Sequence, residues 1–234
     1  MWNYWLSMDF KYNITKDAES WVDIAQDKND FYGTDYKSQV VFIPDDLLRQ
    51  IQKNKRNKAV KLVNTHLKNH PKRKLRNQLI KQTIVNTNVL WSQIETQFIK
   101  RLKHVTQTSK FSEKITCYIT TGFMCPYDKD WFMISAWHSL PHSLGTIAHE
   151  LLHIQFLKYY KDYCLEHLTE EQLDILKEAM TFILNIEFND LLLVDDRGYP
   201  EQQKLRVKLQ KLWKGNFKEF LDDSIKEILA QDKD

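Results

Sequence analysis

An α+β fold, predominantly helical with a small sheet, is what this sequence predicts, and three observations predict it. Glycine and proline, which break regular structure, number only 5 each in 234 residues. Long segments place apolar residues at helical spacing, while only short runs are rich in the β-branched and aromatic residues that favour strands. With 42% hydrophobic residues and no low-complexity run or repeat, the chain has enough apolar side chains for a substantial core.

The elements follow in order. Residues 1–46 are aromatic and acidic-polar, with a short helix expected near Ala18–Ala25 and a strand-like run Val40-Val41-Phe42-Ile43 stopped by Pro44. Asp45 and Asp46 are placed to cap a helix running to about Lys68. Pro71 restarts the chain, and a helix over about 72–106 carries Leu75, Leu79, Trp91, Ile94, Phe98, Leu102 and Val105 on one stripe. Lys114–Thr121 and Trp131–Trp137 read as neighbouring strands around a turn region with Gly122, Pro126 and Asp128, and with 40–43 they would make the sheet. A helix over about 144–161, with Ser143 as its cap, follows. Thr169-Glu170-Glu171-Gln172 is a capping box that opens another helix, and 201–231 reads as two helices parted by Gly215. The natural division is 1–110, mostly helical and basic, and 111–234, within one continuous globular unit.

Charge and cysteine usage bound the partners. The net charge is only +3, yet Leu47–Ile94 holds 12 lysines and arginines and no acidic residue. Such a block fits either a solvated helix face or contact with phosphates. Trp91 is the only aromatic residue between Phe42 and Phe98, so no base-stacking platform is visible. Cys117, Cys125 and Cys164 have no paired metal-site spacing and do not suggest a disulfide framework. The N-terminus lacks a basic start and apolar core, and no apolar run reaches membrane-spanning length, so a cytoplasmic protein with no membrane contact is expected.

The chemistry concentrates at His149-Glu150-Leu151-Leu152-His153. Histidines four apart on a helix present both imidazoles to one zinc ion, and the intervening glutamate is placed to act on a water. Leu144, Ile147, Ala148, Leu151, Leu152, Ile154, Phe156 and Leu157 cover most of the helix circumference, so the polar residues are expected to be buried and to need partners. His138 and His142 stand just upstream and read as loop histidines or as substrate donors.

A strand, a short loop, a helix bearing His-Glu-x-x-His and a later helical glutamate resemble a zincin metallopeptidase. No glycine-histidine segment follows at metzincin spacing. Lys177-Glu178-Ala179 resembles the Asn-Glu-Gly/Ala segment of the glutamate-zincin branch, which includes thermolysin-like and aminopeptidase-like enzymes. The resemblance covers about 115–190 and implies Zn2+ held by His149, His153 and Glu178, with Glu187 or Asp195 as substitutes for the third ligand. It implies Glu150 as general base in peptide-bond hydrolysis, and Tyr199 or His167 as donor to the developing oxyanion. Position 182, where thermolysin-like enzymes carry a histidine-orienting aspartate, is Phe, so Thr181, Asn185, Asp195 or Asp196 is expected to supply that group. Ser135-Ala136-Trp137 is a candidate edge for pairing with an extended peptide. A peptide or protein substrate is therefore the expected partner. The alternatives are a non-catalytic zincin-fold protein that uses the basic helices to bind nucleic acid or an acidic partner, and a protein whose zinc is structural.

Overall fold

A computed structural model describes residues 8–28, 35–111 and 114–231. The fold is α+β and predominantly helical, with a 4-stranded sheet. Among the described residues two compact units emerge, one formed by 8–28, 35–90 and 114–143, the other by 91–111 and 144–231. This division differs from the sequence-based one at 110. Strand pairing explains the difference, because β1 (Asp9–Tyr12) lies parallel to β2 (Thr116–Thr120), with Asp9 opposite Thr116, and draws the later strands into the unit of the early helices.

In that sheet unit the strand order is β1-β2-β4-β3, where β3 is Tyr127–Asp128 and β4 is Trp131–Ser135. β2 and β4 are parallel, while β3 runs antiparallel to β4 through Tyr127 and Phe132. The helix α1 (Ile14–Asp27) begins at Asn13, whose side chain accepts from the amides of Thr15 and Lys16. Its Ala18, Trp21, Val22, Ile24 and Ala25 join Val40, Ile43, Leu47, Ile51, Val63 and Leu67 in one apolar cluster. Buried Asp17 ties α1 to the end of β2, accepting from the Thr121 amide at 2.7 Å, Thr120 Oγ1 at 2.9 Å and Tyr12 Oη at 2.9 Å.

Two expectations fail here. Val40–Ile43 is not a strand: Val40 ends α2 (Tyr36–Val40) and the Ile43 amide donates to the Val40 carbonyl. Asp35 caps that helix, and burying Val40 and Ile43, three apart, uses helical spacing. A short apolar run has no periodicity that separates strand from buried helix, and β1 supplies the missing strand. The helix expected to run unbroken from 45 to 68 is instead α3 (Asp45–Lys53) and α4 (Arg56–Asn69). Asn54 and Lys55 are extended between them, and Gln26 Nε2 donates to the carbonyls of Ile51 and Asn54 at the break. Asp45 and Asp46 occupy the first turn of α3 after Pro44 and favour the positive end of its dipole rather than capping it. The long helix α5 (Arg73–Val105) forms as expected, although Leu75 is 70% exposed instead of lying on a buried stripe.

The helix α6 (Leu140–Leu165), which belongs to the second unit from Leu144 onward, is longer than expected. Ser139 precedes it and receives the His142 amide, so Ser143, the expected cap, sits buried inside the helix. Leu144, Ile147, Ala148, Leu151, Leu152, Ile154 and Phe156 are buried, as the near-complete apolar circumference demands. Tyr160 Oη donates to the Thr106 carbonyl at 2.6 Å and Gln155 Nε2 to that of Lys110 at 3.0 Å, locking α6 onto the end of α5. The capping box at Thr169 and Gln172 is present and starts α7 (Glu170–Ala179). A 3₁₀ turn (Met180–Phe182) leads to α8 (Ile183–Glu187), and α9 (Gln203–Leu212) and α10 (Phe217–Gln231) follow on either side of Gly215. Trp213, Phe217 and Phe220 pack edge-on beside Phe182 and Tyr160 and close this core. Among the described residues, no helix is long and apolar enough to cross a membrane.

Candidate metal centre

Helical spacing brings the rings of His149 and His153 to 4.2 Å between centroids on one face of α6. The capping box fixes where α7 begins, and Glu178 in its last turn meets them. Glu178 Oε2 lies 3.2 Å from His149 Nε2 and 3.1 Å from His153 Nε2. The three side chains each offer one atom, all within 4.8 Å of one another, and could hold a metal ion.

The donor set fits zinc on geometry. Four-coordinate zinc with bonds of about 2.0–2.1 Å holds its ligand atoms about 3.3 Å apart, close to both measured separations. It fits on charge as well. His149 Nδ1 lies 2.7 Å from Asp196 Oδ2, and a neutral imidazole that donates there turns a lone pair from Nε2 toward the Glu178 carboxylate. A cation between the two groups resolves that clash. Burial alone would lower the His149 pKa, but Asp196, Glu178 and Glu150 hold it well above its ordinary value. Burial and the neighbouring His149 charge push His153 down to about 4, leaving it neutral as a ligand must be. Burial would raise Glu178, yet the two histidines hold its carboxyl well below the usual carboxylate range.

The supporting groups keep this arrangement rigid. Lys177 Nζ sits 2.9 Å from Glu178 Oε1 and 2.6 Å from Asp174 Oδ1, so one oxygen of Glu178 is held by the ammonium and the other faces the histidines. Asp196 Oδ1 accepts from Thr181 Oγ1 at 2.8 Å and the Gly198 amide at 3.1 Å, and pairs with Arg206 Nη2 at 3.1 Å. Asn185 clamps the Asp196 backbone in both directions, at 2.8 and 2.7 Å. Arg206 also donates to Thr181 Oγ1 at 2.5 Å and to the Asp196 carbonyl at 2.9 Å. Gly198 has φ +59, and a Cβ there would come within 2.7 Å of the Arg206 side chain, so both the turn and the arginine require glycine. An open groove of about 630 Å³ runs along this clamp, lined by Phe182, Asn185, Asp195, Arg197 and Val207 among others.

Glu150 is 6% exposed, and its Oε2 has no hydrogen-bond partner among the described residues. Burial pushes its pKa up to about 8, opposed by His149 and reinforced by Glu178. A carboxyl group so poised is suited to carrying a proton near neutral pH.

The remaining sequence candidates are dispersed. Thr181 and Asn185 hold Asp196 rather than a histidine, which makes Asp196 the orienting carboxylate. Glu187 accepts from Trp213 Nε1 at 2.8 Å and Asp195 is exposed, so neither joins the histidines. Tyr199 is half-buried in the turn that carries Asp196, with its carbonyl accepting from Gln203. His167 lies in the exposed turn after α6, edge-on to Tyr163, and the helical rise puts it about 20 Å beyond His153. His138 and His142 form a ring pair with centroids 4.3 Å apart, and burial and His142 lower His138 to about 4. Sequence reasoning missed Lys177 and Arg206. Lys177 had a local signal, an acidic residue at i−3 and another at i+1, whereas nothing local marks Arg206. In comparisons with known proteins, no protein family, curated protein or solved structure matches this chain.

Proposed function

We propose that this chain is a zinc-dependent hydrolase that cleaves peptide bonds, of the glutamate-zincin type. The observation that carries the proposal is the convergence of His149 and His153 Nε2 on one oxygen of Glu178, beside a buried Glu150 with an unpartnered oxygen. Zinc in such a site supplies Lewis acidity and brings the pKa of a water toward neutrality. His149, His153 and Glu178 would hold it. Asp196 fixes the tautomer and ring orientation of His149, as a carboxylate behind a ligating histidine does. Glu150 takes the proton of the attacking water and passes it to the leaving amine. Tyr199, in the turn of Asp196, is favoured over the remote His167 as donor to the developing oxyanion.

The test compares zinc-loaded wild type with Glu150→Gln on an unfolded polypeptide. Hydrolysis is expected to fall by about 10²–10⁴-fold, with bound zinc unchanged. Equal hydrolysis by both proteins would overturn the catalytic assignment.

A further inference from the structure

The exposed face of α4 has no part in the zinc reading and does not depend on it. Ala59, Val60, Val63 and Leu67 are buried on one side of this helix. Lys58, Lys61, Thr65 and Lys68 recur at i, i+3, i+7 and i+10 on the opposite side, and all four are exposed. Among the described residues, none of these lysines forms an ion pair. Arg56 differs, since it pairs with Asp23 of α1. Lysines three positions apart repel, and a helix that only faces water normally relieves this with glutamates at i+4. From Leu47 to Ile94 there are none. Elsewhere the chain does pair its charges, as in Lys208–Glu227 and Lys226–Asp223. At the start of α4, where no side chain caps the helix, Lys55, Arg56, Asn57, Lys58 and Lys61 line an open groove of about 570 Å³.

We infer that the α4 face is a docking surface for duplex nucleic acid, gripped through its phosphodiester backbone. Charge complementarity supports this occupant. From Lys58 to Lys68 the stripe spans about 15 Å, the length of roughly four phosphates along one strand. Its exposed residues include no aromatic ring, so there is nothing to stack on single-stranded bases. They include no aliphatic side chain either, so an anionic membrane would find no apolar anchor. Asn57 and Asn69 flank the lysines with further hydrogen-bond donors. Contacts of this kind read no base edges, so binding is independent of sequence and steeply salt-dependent.

The experiment uses the full chain and a duplex DNA of about 20 base pairs, titrated by fluorescence anisotropy across a salt series. Lys58→Gln, Lys61→Gln and Lys68→Gln are combined in one variant. As a charge-matched control, the exposed Lys204, Lys211 and Lys218 are changed to Gln together. The wild type and the control should bind alike. The α4 variant should bind at least about tenfold more weakly at low salt, with a log–log salt slope shallower by roughly 2.7. No binding at low salt, equal loss in the control, or vesicles rich in phosphatidylserine binding more tightly than the duplex would each overturn the inference.

Discussion

Around Glu178 the buried carboxylates meet basic groups: Lys177 faces one Glu178 oxygen, His149 and His153 face the other, and Arg206 backs Asp196. Along α4, three lysines stand in water with no acidic partner among the described residues. The two regions differ because desolvation differs. Burying an unpaired charge costs several kcal/mol, so Glu178 and Asp196 are buried together with cationic partners, while Glu150, which lacks one, has its pKa pushed up to about 8. Exposed like charges cost only tenths of a kcal/mol each, so the α4 face tolerates its imbalance. The buried cluster could hold a metal ion, and the exposed surface carries the charge that the proposed polyanion would neutralise.

Arg206→Leu removes one of the two basic partners of buried Asp196 and leaves His149 as the other, and should lower stability by about 3 kcal/mol. Thermal denaturation would record this as a fall in Tm of roughly 10 °C, and an unchanged Tm would mean that the network is not stabilising. Asp196→Asn keeps the shape but not the charge behind His149. Zinc affinity should weaken by about 10–100-fold, as measured by competition with a chromophoric chelator. The same variant sharpens the electrostatic account. In the wild type, Asp196 and Glu178 raise the His149 pKa and zinc needs that ring neutral, so calorimetry in buffers of different ionisation enthalpy should report net proton release on zinc binding near pH 7. Removing the Asp196 charge lowers the His149 pKa and should reduce that release.

The smallest effect belongs to the exposed region. Neutralising Lys58, Lys61 and Lys68 together should leave stability unchanged or raise it by about 0.5 kcal/mol or less, read as an unchanged or slightly higher Tm. A large destabilisation would show that these lysines are structural and weaken the distinction between the two regions.

Much of the centre was legible in the sequence because its geometry is local. Two histidines four apart on a capped, nearly all-apolar helix can hardly point anywhere but to one face, and the Thr169–Gln172 capping box set the phase of the helix that delivers Glu178. The turn of Asp196 was visible only as one option among several, because a loop carries no periodicity. Arg206 was invisible: it reaches Thr181 and Asp196 from a separate helix, and only the folded backbone brings them together. The same limit misled the reading of Val40–Ile43, whose apolar run suits a strand or a buried helical turn equally well, and concealed β1, a strand of four residues. Helices whose apolar stripe spans several turns were read correctly, α5 and α10 among them, since many residues vote for one period.

The most direct test of the central claim is the zinc content of the purified chain after equilibration with zinc and removal of loosely bound ions. If His149, His153 and Glu178 form the centre, the wild type and Glu150→Gln will each retain about one zinc per chain, and His153→Ala and Glu178→Ala will retain almost none. Wild-type protein without zinc, or a Glu178→Ala variant that binds it as tightly as the wild type, would contradict the assignment.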